Sequence, residues 1–175
     1  MIQDGEVREW GTHLVSNTGK VRWKGRPDVV LRCVNGKGYA LFRGKRVYGK
    51  KKGMMPVHIA VAKLFVRNPK PAIFNEVDHA DGNKLNNHWR NLRWVNRSLN
   101  CLNKGKGYHQ DNRRKTPSYQ IQVKHHGKKH SYGTVHSEDA AEARALEVKA
   151  DVFKTVYMEL TGLDNSGVGD EMYLS

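Results

Sequence analysis

The chain has 175 residues, enough for one domain of ordinary size or two to three small ones, and 38% hydrophobic residues support a core of modest size. Its net charge of +14 is unevenly placed, since residues 1–136 hold 28 Lys/Arg against 8 Asp/Glu and residues 137–175 hold 3 against 9. A basic body of this kind favours a polyanionic partner, most simply nucleic acid. No apolar run reaches membrane-span length, and no signal-peptide core is read near the start. Cys33 and Cys101 make neither a CxxC nor a disulfide framework, which points to a reducing, cytoplasmic setting.

The first 55 residues alternate short apolar stretches with turn signals. Leu14-Val15, Val21–Trp23, Val29–Val34 and Tyr39–Phe42 read as strands, and Ser16–Gly19 and Asn35–Gly38 as turns, because Asn and Gly tolerate positive φ. The expectation is a small antiparallel sheet with one wet, basic face. Pro56 to Val66 reads as a largely buried helix, with Pro56 suited to its first turn. His58, near its start, is expected to be a structural histidine bonded to backbone. Asn68-Pro69-Lys70-Pro71 then ends the helix.

The run from Val77 to Asn100 gathers the parts of a one-metal phosphodiesterase into 24 residues. Asp78 can hold a divalent cation, and its neighbour His79 can take a proton near neutral pH. Asn91 and Asn100 follow at intervals of 12 and 9 residues, and can orient the base and complete the metal shell. Cleavage of a phosphodiester needs an activated water, relief of charge on the phosphate oxygens and a stabilised leaving oxygen. An imidazole can supply the first and a cation the other two. Adjacent residues of a strand point to opposite faces. Asp78 and His79 can serve one phosphate only if the strand ends or bulges there, or if they approach it from different sides.

Beyond a basic linker at residues 104–107, Tyr119–Lys124 alternates strictly, with Tyr119, Ile121 and Val123 on one face and Gln120, Gln122 and Lys124 on the other. His126-Gly127-Lys128 turns the chain into a second strand, Lys129–Thr134. Ser137 is a good N-cap for a long helix ending at Gly162, with Glu138 and Asp139 in its first turn. Leu146, Ala150, Phe153 and Tyr157 mark its expected apolar face, and alanines at 140, 141, 143 and 145 allow close approach to a sheet. His109, His125, His126 and His130 lack ligand spacing and are expected on a wet surface.

The Asp78–Asn100 segment, with Asp-His-x-Asp-Gly-Asn followed by Asn-Leu-Arg-Trp and Asn, resembles the HNH nuclease family in its phage and intron-encoded homing-endonuclease branch; the resemblance covers roughly Glu76 to Asn103. It implies a ββα-metal core around one Mg2+ or Mn2+ ion. His79 is then the general base, and Asn91 holds the histidine loop or orients the imidazole. Asp78 and Asn100 bind the metal, and Trp94 packs inward from the second strand. The family's last position is often His and is Asn100 here, so Asn96 and Asn103 compete for that role. The N-terminal part, through Val15–Val21 and Val57–Ala62, is similar to modules that precede such nucleases. That implies DNA contact by its sheet, with Arg22 and Arg32 as the candidates. The pattern from Gly107-Tyr108 through Arg113-Arg114, Tyr119–Val123, Tyr132-Gly133-Thr134 and Glu138–Ala143 resembles the DNA-binding domain of plant ethylene-response factors. It implies three antiparallel strands on one helix, with the outer face in the major groove. Gln120 and Gln122 would read bases, Lys124 would meet phosphate, and Arg113 and Arg114 would sit at the edge.

The expected architecture is therefore α+β in four segments. Residues 1–72 form a DNA-contacting sheet and helix, 73–104 the nuclease core, 105–162 the second DNA-binding domain, and 163–175 a flexible tail. The expected activity is metal-dependent cleavage of double-stranded DNA, with nicking expected of a monomer. The alternative is a DNA-binding regulator with an inactive core. A phage or mobile element in a bacterial host fits the resemblance, and the pattern leaves the oligomeric state open.

Overall fold

The computed structural model describes residues 3–30, 33–45, 52–113 and 115–162. Arg32, Arg114 and the tail from residue 163 lie outside them. The fold is α+β with antiparallel sheets, and it divides into two compact units between Trp94 and Val95.

In the first unit, β1 (Val7–Trp10), β2 (His13–Ser16), β3 (Val21–Trp23) and β4 (Arg26–Val30) pair in chain order as an antiparallel meander. A second sheet joins β5 (Cys33–Val34), β6 (Ala40–Lys45) and β7 (Lys52–Pro56). The single sheet expected from the sequence is thus two. The apolar run Val29–Val34, expected as one strand, is divided between them: β4 pairs with β3, whereas β5 pairs with β6. The two expected turns form. Gly19 N–H donates to the Ser16 carbonyl at 3.0 Å and Gly38 N–H to that of Asn35 at 2.9 Å.

Helix α1 (Val57–Phe65) starts after Pro56, whose missing N–H leaves no orphan donor there. Val57, His58, Ala60, Val61, Ala62 and Phe65 are buried, so nearly every face of this short helix meets protein. The core continues through Val15, Val21, Phe42, Phe74 and Trp89. Each such side chain removed from water contributes roughly 1.5–3 kcal/mol. Strands β8 (Glu76–His79) and β9 (Leu92–Val95) form a two-stranded sheet, with a short 3-10 helix (Trp89–Asn91) leading into β9. Leu92 and Trp94 face the core, Trp94 as expected, and Trp94 Nε1–H donates to the Val66 carbonyl at 3.0 Å.

The second unit begins with α2 (Arg97–Leu102), capped by Asn96, whose side chain accepts from Leu99 N–H at 2.9 Å. Strands β10 (Tyr108–Gln110), β11 (Tyr119–His125) and β12 (Lys128–Val135) form an antiparallel sheet on which α3 (Glu138–Thr161) packs. Tyr119, Ile121 and Val123 are buried beneath it, as the alternation requires. Ser137 Oγ accepts from Ala140 N–H at 3.2 Å, and Gly162, at φ 72°, ends the helix. The expected apolar face is out of phase. Leu146 is 70% exposed and Ala150 is exposed, while Ala141, Ala145, Val148, Val152 and Val156 join Phe153 and Tyr157 inside. The small alanines at the sheet contact set the rotation of the helix, not its bulkiest early side chain. No helix among the described residues is long and apolar enough to cross a membrane.

Candidate active site

The candidate site is built on the end of β8 and the loop that returns to β9. Asp78 and His79 are both buried, 8% and 5% exposed, although they are neighbours on a strand. Each meets its own partner. Asp78 Oδ2 accepts from Arg93 Nε at 3.0 Å and Nη2 at 2.9 Å, so the guanidinium of β9 grips one carboxylate oxygen. His79 Nε2 lies 3.1 Å from Asn87 Oδ1. The Asn87 amide nitrogen donates to the Leu85 carbonyl at 3.2 Å, which presents Oδ1 to the ring as an acceptor. Nε2 therefore carries the ring proton, and Nδ1 holds the basic lone pair of the neutral imidazole.

Asn91 acts on the loop. Its Oδ1 accepts from Asp81 N–H at 3.0 Å, and its amide donates to Asp81 Oδ1 at 2.9 Å and to the Asn86 carbonyl at 2.8 Å. Its backbone carbonyl accepts from Ala80 N–H at 2.8 Å. Asp81 Oδ1 also accepts from Asn83 N–H at 2.8 Å, and Oδ2 from Asn86 Nδ2 at 2.7 Å. Burial pulls the Asp81 carboxyl upward. The bonds from Asn86, Asn91 and Asn83, with His79 nearby, outweigh it and hold the group below its ordinary value. Asn, Asp and Gly side-chain turns thus fix a segment that has little regular structure of its own. Asn100 lies in α2 of the second unit, half-buried, with its N–H donating to the Asn96 carbonyl at 3.0 Å. The Asn96 side chain is engaged as the cap of that helix.

Two neighbours of His79 come from far along the chain. The His58 ring, from α1, has its centroid 4.9 Å from that of His79, and Tyr39 lies 5.1 Å from His58 and 6.2 Å from His79. His58 is buried, and its Nδ1 has no hydrogen-bond partner. The expected backbone bond is thus not made at that nitrogen. Burial, with His79 adding to it, pushes the His58 pKa down to about 3, so the ring is neutral near neutral pH. Gly19, at φ 82°, lies so close to the loop that a Cβ there would stand 2.6 Å from Asn87 Cβ. The buried Asn17 carbonyl accepts from Trp89 N–H at 2.8 Å, so the β2–β3 turn braces both ends of the 87–89 segment.

The residues could suit a small hard cation. Asp78 offers a buried carboxylate, and the asparagines offer amide oxygens, an oxygen-only donor set of the kind Mg2+ and Mn2+ take. No group of three His, Cys, Asp or Glu capable of caging a metal occurs among the described residues. A single carboxylate matches Mg2+, which keeps much of its water and takes phosphate oxygens for the rest.

Of the expected DNA-contacting residues, Arg22 is exposed on β3. Arg113 is paired with Asp111, Nε to Oδ1 at 2.8 Å and Nη2 to Oδ2 at 3.0 Å. Gln120 donates to Ser131 Oγ at 3.2 Å, and Gln122 donates to Gln120 Oε1 at 3.0 Å, making one polar row on β11, with Lys124 exposed beyond it. The expected wet histidine surface is only part of the picture. His125 and His130 stack at 3.9 Å, with His125 Nδ1 and His130 Nε2 buried without partners. Sequence reasoning missed Asn87 and Arg93, and it read His58 without its neighbour. His58 carried a signal, a lone polar group in an apolar helix. Asn87 was hidden by the run of asparagines around it.

Residues 74–101 match a family described as HNH endonuclease. A stretch of 87 residues is 40% identical to an uncharacterized HNH endonuclease of Acanthamoeba polyphaga mimivirus, covering 50% of this chain and 25% of that protein. Another, of 96 residues, is 38% identical to the DNA endonuclease I-HmuI of Bacillus phage SP01, covering 53% of this chain and 51% of that protein. The chain therefore spans between a quarter and about half the length of these relatives. A solved structure described as DNA binding and cleavage by the HNH homing endonuclease I-HmuI overlaps 56% of each chain at 34% identity, with a TM-score of 0.46.

Proposed function

We propose that this chain is a divalent-metal-dependent DNA endonuclease of the HNH type that hydrolyses phosphodiester bonds with His79 as general base. The observation that carries the reading is the setting of His79. It is a buried imidazole at the end of β8, beside Asp78, with Nε2 turned to Asn87 Oδ1 at 3.1 Å. In that tautomer Nδ1 accepts a proton from water, and the Asn87 oxygen steadies the imidazolium that results. Asn91 keeps the loop, and through it the ring, in place. Asp78 is the carboxylate for Mg2+ or Mn2+, with Asn100 assigned as the second ligand on the sequence pattern. When bound, such an ion relieves charge on the phosphate and helps the 3′ oxygen leave. Arg93, bonded twice to one oxygen of Asp78, orients the carboxylate.

Double-stranded DNA is the proposed substrate, and the net charge of +14 supports it. Gln120, Gln122 and Lys124 of the second unit, with Arg22 of the first, are the proposed DNA contacts. One catalytic histidine per chain makes a nick the expected product of a monomer.

Supercoiled plasmid incubated with Mg2+, Mn2+ or EDTA tests the reading. Cutting should require the metal, and His79→Ala should lower the rate by about 100-fold or more while duplex affinity holds. Near-wild-type cutting by that variant removes His79 from its role. Tight binding with no cutting under any metal would favour the regulator with an inactive core.

A further inference from the structure

We propose that the concavity of the second unit between α2, the 104–107 turn, β11 and α3 is a phosphate pocket for the nucleic-acid backbone, with Lys149 as its central cation. The cavity holds about 600 Å³, enough for a phosphate and part of its sugar. Arg97, Lys104, Lys124 and Lys149 stand on its wall, and no Asp or Glu does. Helix α3 is acidic otherwise, with Glu138, Asp139, Glu142, Glu147, Asp151 and Glu159 against three basic residues. Its one lysine in this cavity is therefore a local choice and not the overflow of a basic helix.

Lys149 is also held in place. Its stem crosses Gly107, where an added Cβ would lie 2.8 Å from Lys149 Cε and 3.2 Å from Ala145 Cβ. Its ammonium donates to the Gly105 carbonyl and meets no carboxylate among the described residues. Burial has taken water from this ammonium, and its pKa falls for that reason. A solvated surface lysine loses nothing by being unpaired. One partly withdrawn from water, in a cavity whose charged wall residues are all basic, gains from a phosphate that supplies an opposite charge and acceptors for its remaining donors. Lysine suits this role as a point charge with three donors.

The choice of duplex DNA as the source of the phosphate rests on the endonuclease reading, and the experiment separates the two. Duplex affinity of the full chain is measured in EDTA from 50 to 200 mM salt for wild type, Lys149→Met, Lys104→Met and, as control, Lys154→Met, which lies outside the cavity. Losing one phosphate contact lowers the log-log salt slope by about 0.9, so the affinity lost across that range shrinks by about 3.5-fold. Lys149→Met and Lys104→Met should each show this, with Lys154→Met unchanged. The methionine keeps the stem over Gly107, and a melting curve confirms folding; should Lys149→Met not fold, Lys104→Met decides alone. Steep wild-type binding with unaltered slopes in both cavity variants overturns the pocket and leaves the endonuclease reading standing. No duplex binding by wild type overturns both. Saturable binding of inorganic phosphate at constant ionic strength, lost in Lys149→Met while the duplex slopes stay equal, assigns the cavity to a small phosphate ligand and overturns the backbone assignment.

Discussion

Replacing His58 by Phe should flatten the acid side of the stability profile of the first unit. His58 has a folded pKa of about 3, below its ordinary value of 6.5, because burial disfavours the charged ring and His79 adds to the effect. Between those values the unfolded chain binds a proton that the folded chain refuses. The contribution of the neutral ring to stability is therefore whole above about pH 6.5 and is lost as pH falls toward 3. The full span is worth at most about 5 kcal/mol, at about 1.4 kcal/mol per pH unit, and the share lost between pH 7 and pH 5 is about 2 kcal/mol. Phe fills nearly the same space, does not titrate and removes the orphaned Nδ1, so the variant should lose about 2 kcal/mol less than wild type over that interval. Urea unfolding at pH 7, 6 and 5, followed by tryptophan fluorescence, measures it. Trp10, Trp23, Trp89 and Trp94 are the only tryptophans and all lie in the first unit, so the signal reports that unit alone. His13, also lowered by burial, titrates in both proteins and cancels in the difference. Parallel losses in wild type and His58→Phe would refute the argument.

Asn87→Ala should slow plasmid cutting by about 10- to 100-fold with little loss of stability, because it frees Nε2 of His79; the ratio to wild type in single-turnover rates checks it, and an unchanged rate takes Asn87 off the imidazole. Asn91→Ala removes three side-chain bonds and should destabilise the loop by about 2–3 kcal/mol, read by urea unfolding. Gly19→Ala should damage both stability and cutting, because it combines φ 82° with a contact at 2.6 Å to Asn87 Cβ. Gly82→Ala is the comparison, with φ 72° and open space around it, and should lose only the roughly 1–2 kcal/mol of the backbone term. Equal melting shifts for the two glycines would mean that the turn does not brace the loop.

The candidate chemistry was legible because it is written locally. Asp78, His79, Asp81 and Asn91 fall within 14 residues, and the loop they build is closed by side chains of its own segment. Strands flanked by Asn-Gly turns were legible for the same reason. Strand β7, Lys-Gly-Met-Met-Pro, was not. Gly and Pro argue against a strand, and only pairing with β6 overrides them. The rotation of α3 was hidden because its early turns offer alanines on every side. With so little contrast in the pattern, the closest approach to the sheet chose Ala141 and Ala145 and left Leu146 in water.

The environment of His79 belongs to the illegible class, and it is what turns a motif into a chemical statement. The motif supplies an imidazole and a carboxylate side by side. Which ring nitrogen carries the proton depends on Asn87, whose own orientation is set by the Leu85 carbonyl and whose position is braced by Gly19, 68 residues earlier. That the adjacent ring of His58 does not compete for protons depends on its burial in α1. A neutral, orphaned imidazole beside the candidate base is an unfavourable use of core volume, and buried unsatisfied groups of this kind concentrate where function constrains the packing. Its ring adds bulk against His79 without adding charge near neutral pH. Burial in α1 thus takes one of two identical side chains 4.9 Å apart out of acid–base chemistry near neutral pH, an outcome that no spacing in the sequence encodes.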